Sequence, residues 1–398
     1  MLASPFTFFR GAAAVMAYDL STTPSTGLEV QVCGDAHLLN FGLYATPERR
    51  LVFGANDFDE TLRGPWEWDL KRLAASLAVA ARADGMDEAA ARAAAVASGR
   101  SYRRHLDGYA CMRSLDVWYS TVDVAMIKRL FADQARRPAG RAARRATERA
   151  RLHDCFQALG KLTEVIDGRH VIRHQPPLVT RVDDHPEVVA QLGAVISHYT
   201  ETLTEERQYL IQRYALSDLA MKVVGVGSVG TRCFIGLLRG DGAGEGEDPL
   251  FLQMKEALPS VLEPYLGPSP YAHHGQRVVV GQRMMQAFPD IFLGWTRAPV
   301  TSRHFYVRQL RDMKGSFDVD GMTPNDLERY GELSGWALAR SHARSGDAAT
   351  ISGYLGSKDS FDRALGEFAI AYAEQNQRDF EALTAAVSDG RVEAHTGV

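Results

Sequence analysis

Apolar and polar positions alternate from Glu29 to Cys33, the period-two pattern of a strand with one buried face, and the run empties into a polar loop holding Asp35, His37 and Asn40. Residues 41–45 lead away from that loop, Thr46-Pro47-Glu48-Arg49 has the composition of a type I turn, and residues 51–53 return toward Asp57, Asp59 and Glu60. The arms are of similar length and each strand residue advances about 3.3 Å, so the outward and return displacements nearly cancel. The pattern therefore predicts a hairpin that sets Asn40 beside Asp57. Helical spacing brackets it. Residues 5–20 place Phe8, Ala12, Val15 and Met16 on one side of a helix, and residues 68–83 do the same with Leu70, Leu73, Leu77 and Ala80, with Asp69 near the first turn.

Further along, Ala-, Arg- and Leu-rich helices are predicted through residues 86–160. Asp167-Gly168 marks a hairpin turn between residues 163–166 and 170–173, Pro176-Pro177 breaks any regular element, and a helical pair is expected over residues 185–214. Residues 233–238 and 250–256 read as strands, residues 275–287 as a helix, and residues 290–295 and 303–310 as two more strands. Helices over residues 323–345 and 360–387 close the chain.

Composition narrows the class. The chain has 398 residues, is 45% hydrophobic and carries a formal net charge of -4, enough for large cores in two or three lobes and no general reason to expect nucleic acid as partner. Seven arginines between Arg136 and Arg151 read as a solvated helix face. The four cysteines, Cys33, Cys111, Cys155 and Cys233, lack CxxC spacing, so neither a zinc site nor a disulfide framework is indicated and a reducing cytoplasm fits. Residues 11–18 are too short for a signal peptide, and no run approaches the roughly 20 apolar residues of a membrane span.

Two stretches carry candidate chemistry. A hard cation such as Mg²⁺ takes oxygen ligands, commonly one or two carboxylates or amides plus the phosphates of a substrate. Asn40 and Asp57, with Asp59 nearby, offer such a set, and Asp35 would face the reacting hydroxyl as base or orienter, with His37 beside it. Arg10 has two readings, a phosphate contact or a solvated head. The second stretch is residues 223–238, where Gly225, Gly227 and Gly230 form G-x-G-x-x-G around Ser228. A dinucleotide fold would open a helix there; a strand run follows instead, so a glycine hairpin fits better. Lys255 then ends an apolar strand, where a kinase-type lysine meets the nucleotide's phosphates.

G-D-A-H-L-L-N (34–40), then N-D-F-D (56–59), resembles the catalytic loop and metal motif of the aminoglycoside and choline phosphotransferases of the protein kinase-like superfamily. G-P-W-E-W-D-L (64–70) resembles the segment whose Asp supports that loop, so Asp69 is either a helix-terminus charge or a brace. Cys33 stands where those enzymes often have histidine. S-P-F-T-F-F-R-G, G-D-A-H-L-L-N-F-G and W-E-W-D-L-K-R-L-A-A-S-L resemble an uncharacterised bacterial family, the domain of unknown function 2252, which brings no activity with it. What the first resemblance implies is an α+β, two-lobed, protein kinase-like fold with a mainly helical catalytic lobe and a small antiparallel-sheet nucleotide lobe. Because the catalytic loop precedes the glycine loop, the order is that of a circular permutation: residues 1–215 catalytic, 216–312 nucleotide-binding with Gln309 to Asp312 as hinge and Gln309 and Leu310 beside the nucleotide, and 313–398 returning to the catalytic lobe.

The expected activity is ATP- and Mg²⁺-dependent phosphoryl transfer to a hydroxyl of a small molecule or protein. The sequence does not identify the acidic partner of Lys255: Glu263 is a candidate, and Glu256 is too close in sequence to be an easy choice; His342 and Asp347 are expected as helix caps. Two other classes remain open: a nucleotide-binding, pseudokinase-type regulator, and a metal-dependent phosphohydrolase using Asp35, His37, Asp57 and Asp59. Nucleotidyl transfer is a variant of the first.

Overall fold

The predicted hairpin forms, and its register is the one the arm lengths require. The computed structural model describes residues 1–130, 147–148, 150, 155–182, 189–223, 230–241, 248–310, 313–315 and 317–394. β1 (Glu29–Val32) runs into the polar loop, and β2 (Phe41–Ala45) pairs antiparallel with β3 (Leu51–Ala55) from Phe41 opposite Ala55 to Ala45 opposite Leu51. β4 (Leu62–Pro65) then returns beside β1. The alternation in β1 understates its burial. Gln31 is only 6% exposed because its amide donates to Thr61 Oγ1 at 2.8 Å, so both faces of the strand are covered.

Helices enclose this unit. The Trp66–Ala83 helix is buried along nearly its whole length, and the Glu88–Ala110 and Pro324–Ala343 helices pack against it and each other. The last two approach closely because Gly335 faces Ser98: a Cβ at that position would stand 2.3 Å from the Ser98 carbonyl oxygen. The final Ser360–Ser388 helix lies against the first turns of the chain, where Phe8 meets Phe380 edge-on and Asn376 donates to the Pro5 carbonyl. The single helix expected over residues 5–20 is instead two, Pro5–Gly11 and Ala13–Ser21, parted at Ala12, whose backbone leaves helical geometry. The break lets Phe8 and Phe9 on one piece and Met16 and Leu20 on the other all turn inward.

The other layer is antiparallel sheet. β5 (Thr163–Ile166) and β6 (Arg169–Ile172) form a hairpin whose Asp167 and Gly168 both have positive φ, as the Asp-Gly signal requires. A six-stranded sheet follows, formed by β7 (Val179–Arg181), β8 (Tyr214–Lys222), β9 (Cys233–Gly240), β10 (Pro249–Glu256), β11 (Gly294–Arg297) and β12 (His304–Gln309) in the order β11-β12-β10-β9-β8-β7. The helical pair expected over 185–214 ends earlier, as Leu192–Glu201 and Glu205–Ile211, and the chain is already strand at Tyr214. The strand expected at 290–295 begins at Gly294, because Asp290 accepts from the Phe292 N–H and turns the chain first. The His274–Met285 helix between β10 and β11 packs on the sheet and reaches the helical body through Gln286, whose amide donates to the Ala55 carbonyl at 2.8 Å. The protein is a mixed α+β structure with small antiparallel sheets. Among the described residues no helix is long and apolar enough to cross a membrane.

Candidate active site

The loop after β1 is held from below by Asp69. Its Oδ2 accepts from the Cys33 N–H at 2.7 Å and its Oδ1 from the Gly34 N–H at 3.0 Å, while the carboxylate itself is 1% exposed. A place in the first turn of its helix delivers the side chain, and the loop uses it. His342 adds to the brace. It is fully buried, with Nε2 3.3 Å from Asp69 Oδ2 and Nδ1 2.9 Å from the Tyr102 hydroxyl, so the capping role expected for it does not hold. Asp347 does cap, accepting from the Thr350 N–H at 3.0 Å. Gly34 has φ +81° and a Cβ there would lie 2.3 Å from the Glu60 carbonyl oxygen, so the residue before Asp35 is glycine on both counts.

Asn40 and Asp57 stand side by side, as the hairpin predicts. The Asn40 amide donates to the Asp57 carbonyl at 2.9 Å and to the Asp35 carbonyl at 3.0 Å, and its oxygen accepts from the Asp57 N–H at 2.7 Å. In this arrangement Asn40 clamps the Asp35 loop to the Asp57 loop. Its oxygen is turned to backbone instead of offering a lone pair to a cation.

Asp35 meets Arg72, whose Nε donates to its Oδ1 at 2.5 Å. The rest of that guanidinium is anchored, with one nitrogen on the Phe9 carbonyl at 3.0 Å and the group lying over the Phe9 ring. Asp35 is therefore held in one orientation. His37 places Nε2 3.8 Å from the other Asp35 oxygen. Burial lowers His37 to about 4 against the pull of Asp35, with Arg72 and Arg10 deepening the shift, so the ring is neutral at neutral pH.

The second cluster crosses the molecule. Lys255, on β10, is 4% exposed; its ammonium bonds Asp59 and lies 3.7 Å from Asp57 Oδ2, joining positions 196 residues apart. Burial pushes the Asp57 carboxyl up, but Lys255, Arg308 and Lys314 outweigh it and hold Asp57 at about 2. Asp59 moves the other way, raised by burial and by Asp57. Burial alone would lower Lys255; Asp57, Tyr306 and Asp59 reverse that and keep it charged. The candidate partner Glu263 is elsewhere, capping the Ser260 N–H and 3.9 Å from Arg277 Nε. The His274–Met285 helix carries no acidic side chain to offer; its buried Arg277 instead grips the carbonyls of Asp59 at 2.8 Å and Thr61 at 2.7 Å. Arg308, beside Lys255 on the same sheet face, donates to Gln253 Oε1 at 3.0 Å and to the Asn56 carbonyl at 3.1 Å. Its place was legible in the alternation of β12, which puts Tyr306 and Arg308 on one face.

Glu60 follows the same loop, and burial raises its carboxyl to about 7 from an ordinary 4.5 although the Val261 N–H opposes the shift. A carboxyl raised in the folded state adds stability that is complete below pH 4.5 and lost as pH climbs through 7. Glu60→Gln removes that dependence. Its stability relative to the parent should rise by roughly 3 kcal/mol at most between pH 5 and pH 8, read from denaturation midpoints at the two pH values.

Of the glycine loop, Gly225, Gly227 and Ser228 lie outside the described residues, as do Arg311, Asp312 and most of the arginine-rich run; Gly230 is described, with φ +88°, just before β9. Gln309 closes β12 opposite Leu252, and the Leu310 N–H donates to the Phe251 carbonyl at 2.9 Å. The sheet face between Lys255 and Leu310 is not bare. Ala158 and Leu159 of the Cys155–Leu162 helix and Ile172 of β6 pack on Ile235, Leu237, Phe251 and Leu310. Among the described residues no group of three or more His, Cys, Asp and Glu side chains is arranged to hold a metal ion alone. Asp35 pairs with Arg72 and has His37 beside it, while Asp57 and Asp59 gather on Lys255.

These features define a mixed α+β protein in which a polar loop on a helical body meets a lysine from an antiparallel sheet. The model of a bacterial family of uncharacterized proteins, the domain of unknown function 2252 (DUF2252), matches residues 1–386, and the chain belongs to that family. No curated protein and no solved structure matches it.

Proposed function

We propose that the protein is an ATP- and Mg²⁺-dependent phosphotransferase that moves a phosphoryl group to an acceptor hydroxyl. The observation that carries the reading is Lys255 set between Asp57 and Asp59. Lysine on the second strand after the glycine-rich stretch of the sequence, followed by a helix and two further strands, is the order of parts in a kinase nucleotide lobe. The helices after residue 313 pack back on those before residue 110, which supports a kinase-like arrangement in circularly permuted order.

The donor set fits a hard cation. Asp59 Oδ1 is buried with no hydrogen-bond partner, next to the ionised Asp57, and Mg²⁺ needs from a protein only one or two such oxygens when phosphates supply others. Asp57 and Asp59 would hold it, with Asn40 aligning Asp57, and the ion would supply charge neutralisation at the phosphates. Lys255 exchanges its carboxylate contacts for phosphate oxygens. Asp35, aimed by Arg72, orients the acceptor hydroxyl and takes its proton. Chemistry of this kind asks the protein mainly for positioning and electrostatics.

On this reading the nucleotide base extends from Lys255 toward Leu310, where Leu159 and Ile172 now sit. Binding then includes a shift of residues 155–172. Leu159→Ala, which loosens that cover, should raise Mg-ATP affinity by up to about tenfold by calorimetry, while lowering stability by about 2–4 kcal/mol. The covered face also favours a second reading, a regulator that binds nucleotide without turning it over. Thermal shift with Mg-ATP, followed by turnover of γ-labelled ATP over metabolite extracts, separates the two. No stabilisation by Mg-ATP would end both.

A further inference from the structure

The acceptor end of the site has an unused cation. Arg10 closes the Pro5–Gly11 helix directly after Phe9, whose carbonyl and ring are both engaged by Arg72, and Arg72 in turn holds Asp35. Arg10 makes no hydrogen bond or ion pair with any described residue, and its Nε is buried without a partner. Its charge lies close enough to His37 to help hold that ring neutral. His37 is also unspent: its side chain is 12% exposed and its Nδ1 is buried with no partner. Asp35 is already matched by Arg72, so the guanidinium left over is that of Arg10. A buried polar group without a partner costs stability until something supplies one.

The charge balance has a direction. The charges that act on His37 are two carboxylates, Asp35 and Asp57, and two guanidiniums, Arg72 and Arg10; Arg72 pairs with Asp35 and Lys255 lies 3.7 Å from Asp57, which leaves Arg10 without a carboxylate. A cationic acceptor would meet an uncompensated guanidinium there. An acceptor with an anionic oxygen group near its hydroxyl would give Arg10 a charge-assisted partner and His37 a hydrogen bond, while presenting the hydroxyl to Asp35.

We infer that Arg10 and His37 form an anion subsite beside Asp35, and that the acceptor is a small hydroxylated anion, its hydroxyl set next to a phosphate or carboxylate. The inference rests on the phosphotransferase reading only for the identity of the site as the acceptor's.

The test is calorimetric binding of sn-glycerol 3-phosphate, glycerol and choline to the full chain, in the parent and in Arg10→Gln and Arg10→Lys, with the Mg-ATP affinity of each protein measured alongside. Glycerol 3-phosphate should bind best of the three. Arg10→Gln should weaken it by about tenfold or more and Arg10→Lys by less, with Mg-ATP affinity held within about twofold. Three results overturn the inference: choline binding more tightly than the anion, no loss of anion binding in Arg10→Gln, or a loss of Mg-ATP affinity of the same size, which would put Arg10 on the nucleotide. Anion binding lost in Arg10→Gln from a protein that moves no labelled phosphate would leave the subsite standing and remove the phosphotransferase reading.

Discussion

Asp35→Ala should bind Mg-ATP as tightly as the parent protein and lose phosphoryl transfer by about 10²–10⁴-fold. The Asp35 side chain touches neither Lys255 nor Asp57 or Asp59; its contacts are Arg72 and His37. Its removal thus leaves the proposed phosphate and metal contacts in place. It also leaves the buried Arg72 guanidinium with the Phe9 carbonyl as its remaining oxygen partner, so a stability loss of a few kcal/mol is expected as well. The affinity and the single-turnover rate must be read on the same folded preparation. Transfer retained at the parent rate would overturn the role given to Asp35.

Asp57→Ala should do the reverse and weaken Mg-ATP binding itself, by about 100-fold or more, with a much smaller effect on nucleotide measured without Mg²⁺. The carboxylate sits where Lys255, Arg308 and Lys314 hold it ionised, and its neighbour Asp59 is the group whose proton affinity is raised. Removing Asp57 takes away the carboxylate that three cationic side chains hold ionised. Asp59 then remains on Lys255 as a direct ion pair, so the lysine is less available to phosphate. Calorimetric titration with and without Mg²⁺ checks the claim; binding within about twofold of the parent under both conditions would remove Asp57 from the metal site.

Several parts of the site were readable because they depend on local rules. The hairpin from Phe41 to Ala55 follows from alternation and a turn signal, and it alone brings Asn40 to Asp57. The same holds for the buried helix that carries Asp69 and for the strand that carries Lys255. Local rules failed where partners come from distant segments. Nothing near Lys255 names Asp59 as its ion pair, and helical spacing at His342 suggests a cap because the spacing cannot see Asp69 and Tyr102 arriving from two other helices. Arg72 carries no local signal of its role; its burial is decided by Phe9 and Asp35 closing over it.

By itself the sequence determined the elements that obey short-range periodicity, the turn that folds the Asp35 and Asp57 loops together, and the residue types available for charge chemistry. Only the tertiary structure decided which charges face each other. An ion pair or a buried hydrogen bond is an interaction through space, set by which surfaces pack, and its energy depends on the solvent they exclude. Periodicity fixes a side chain's direction from its own backbone, and packing alone fixes what it meets.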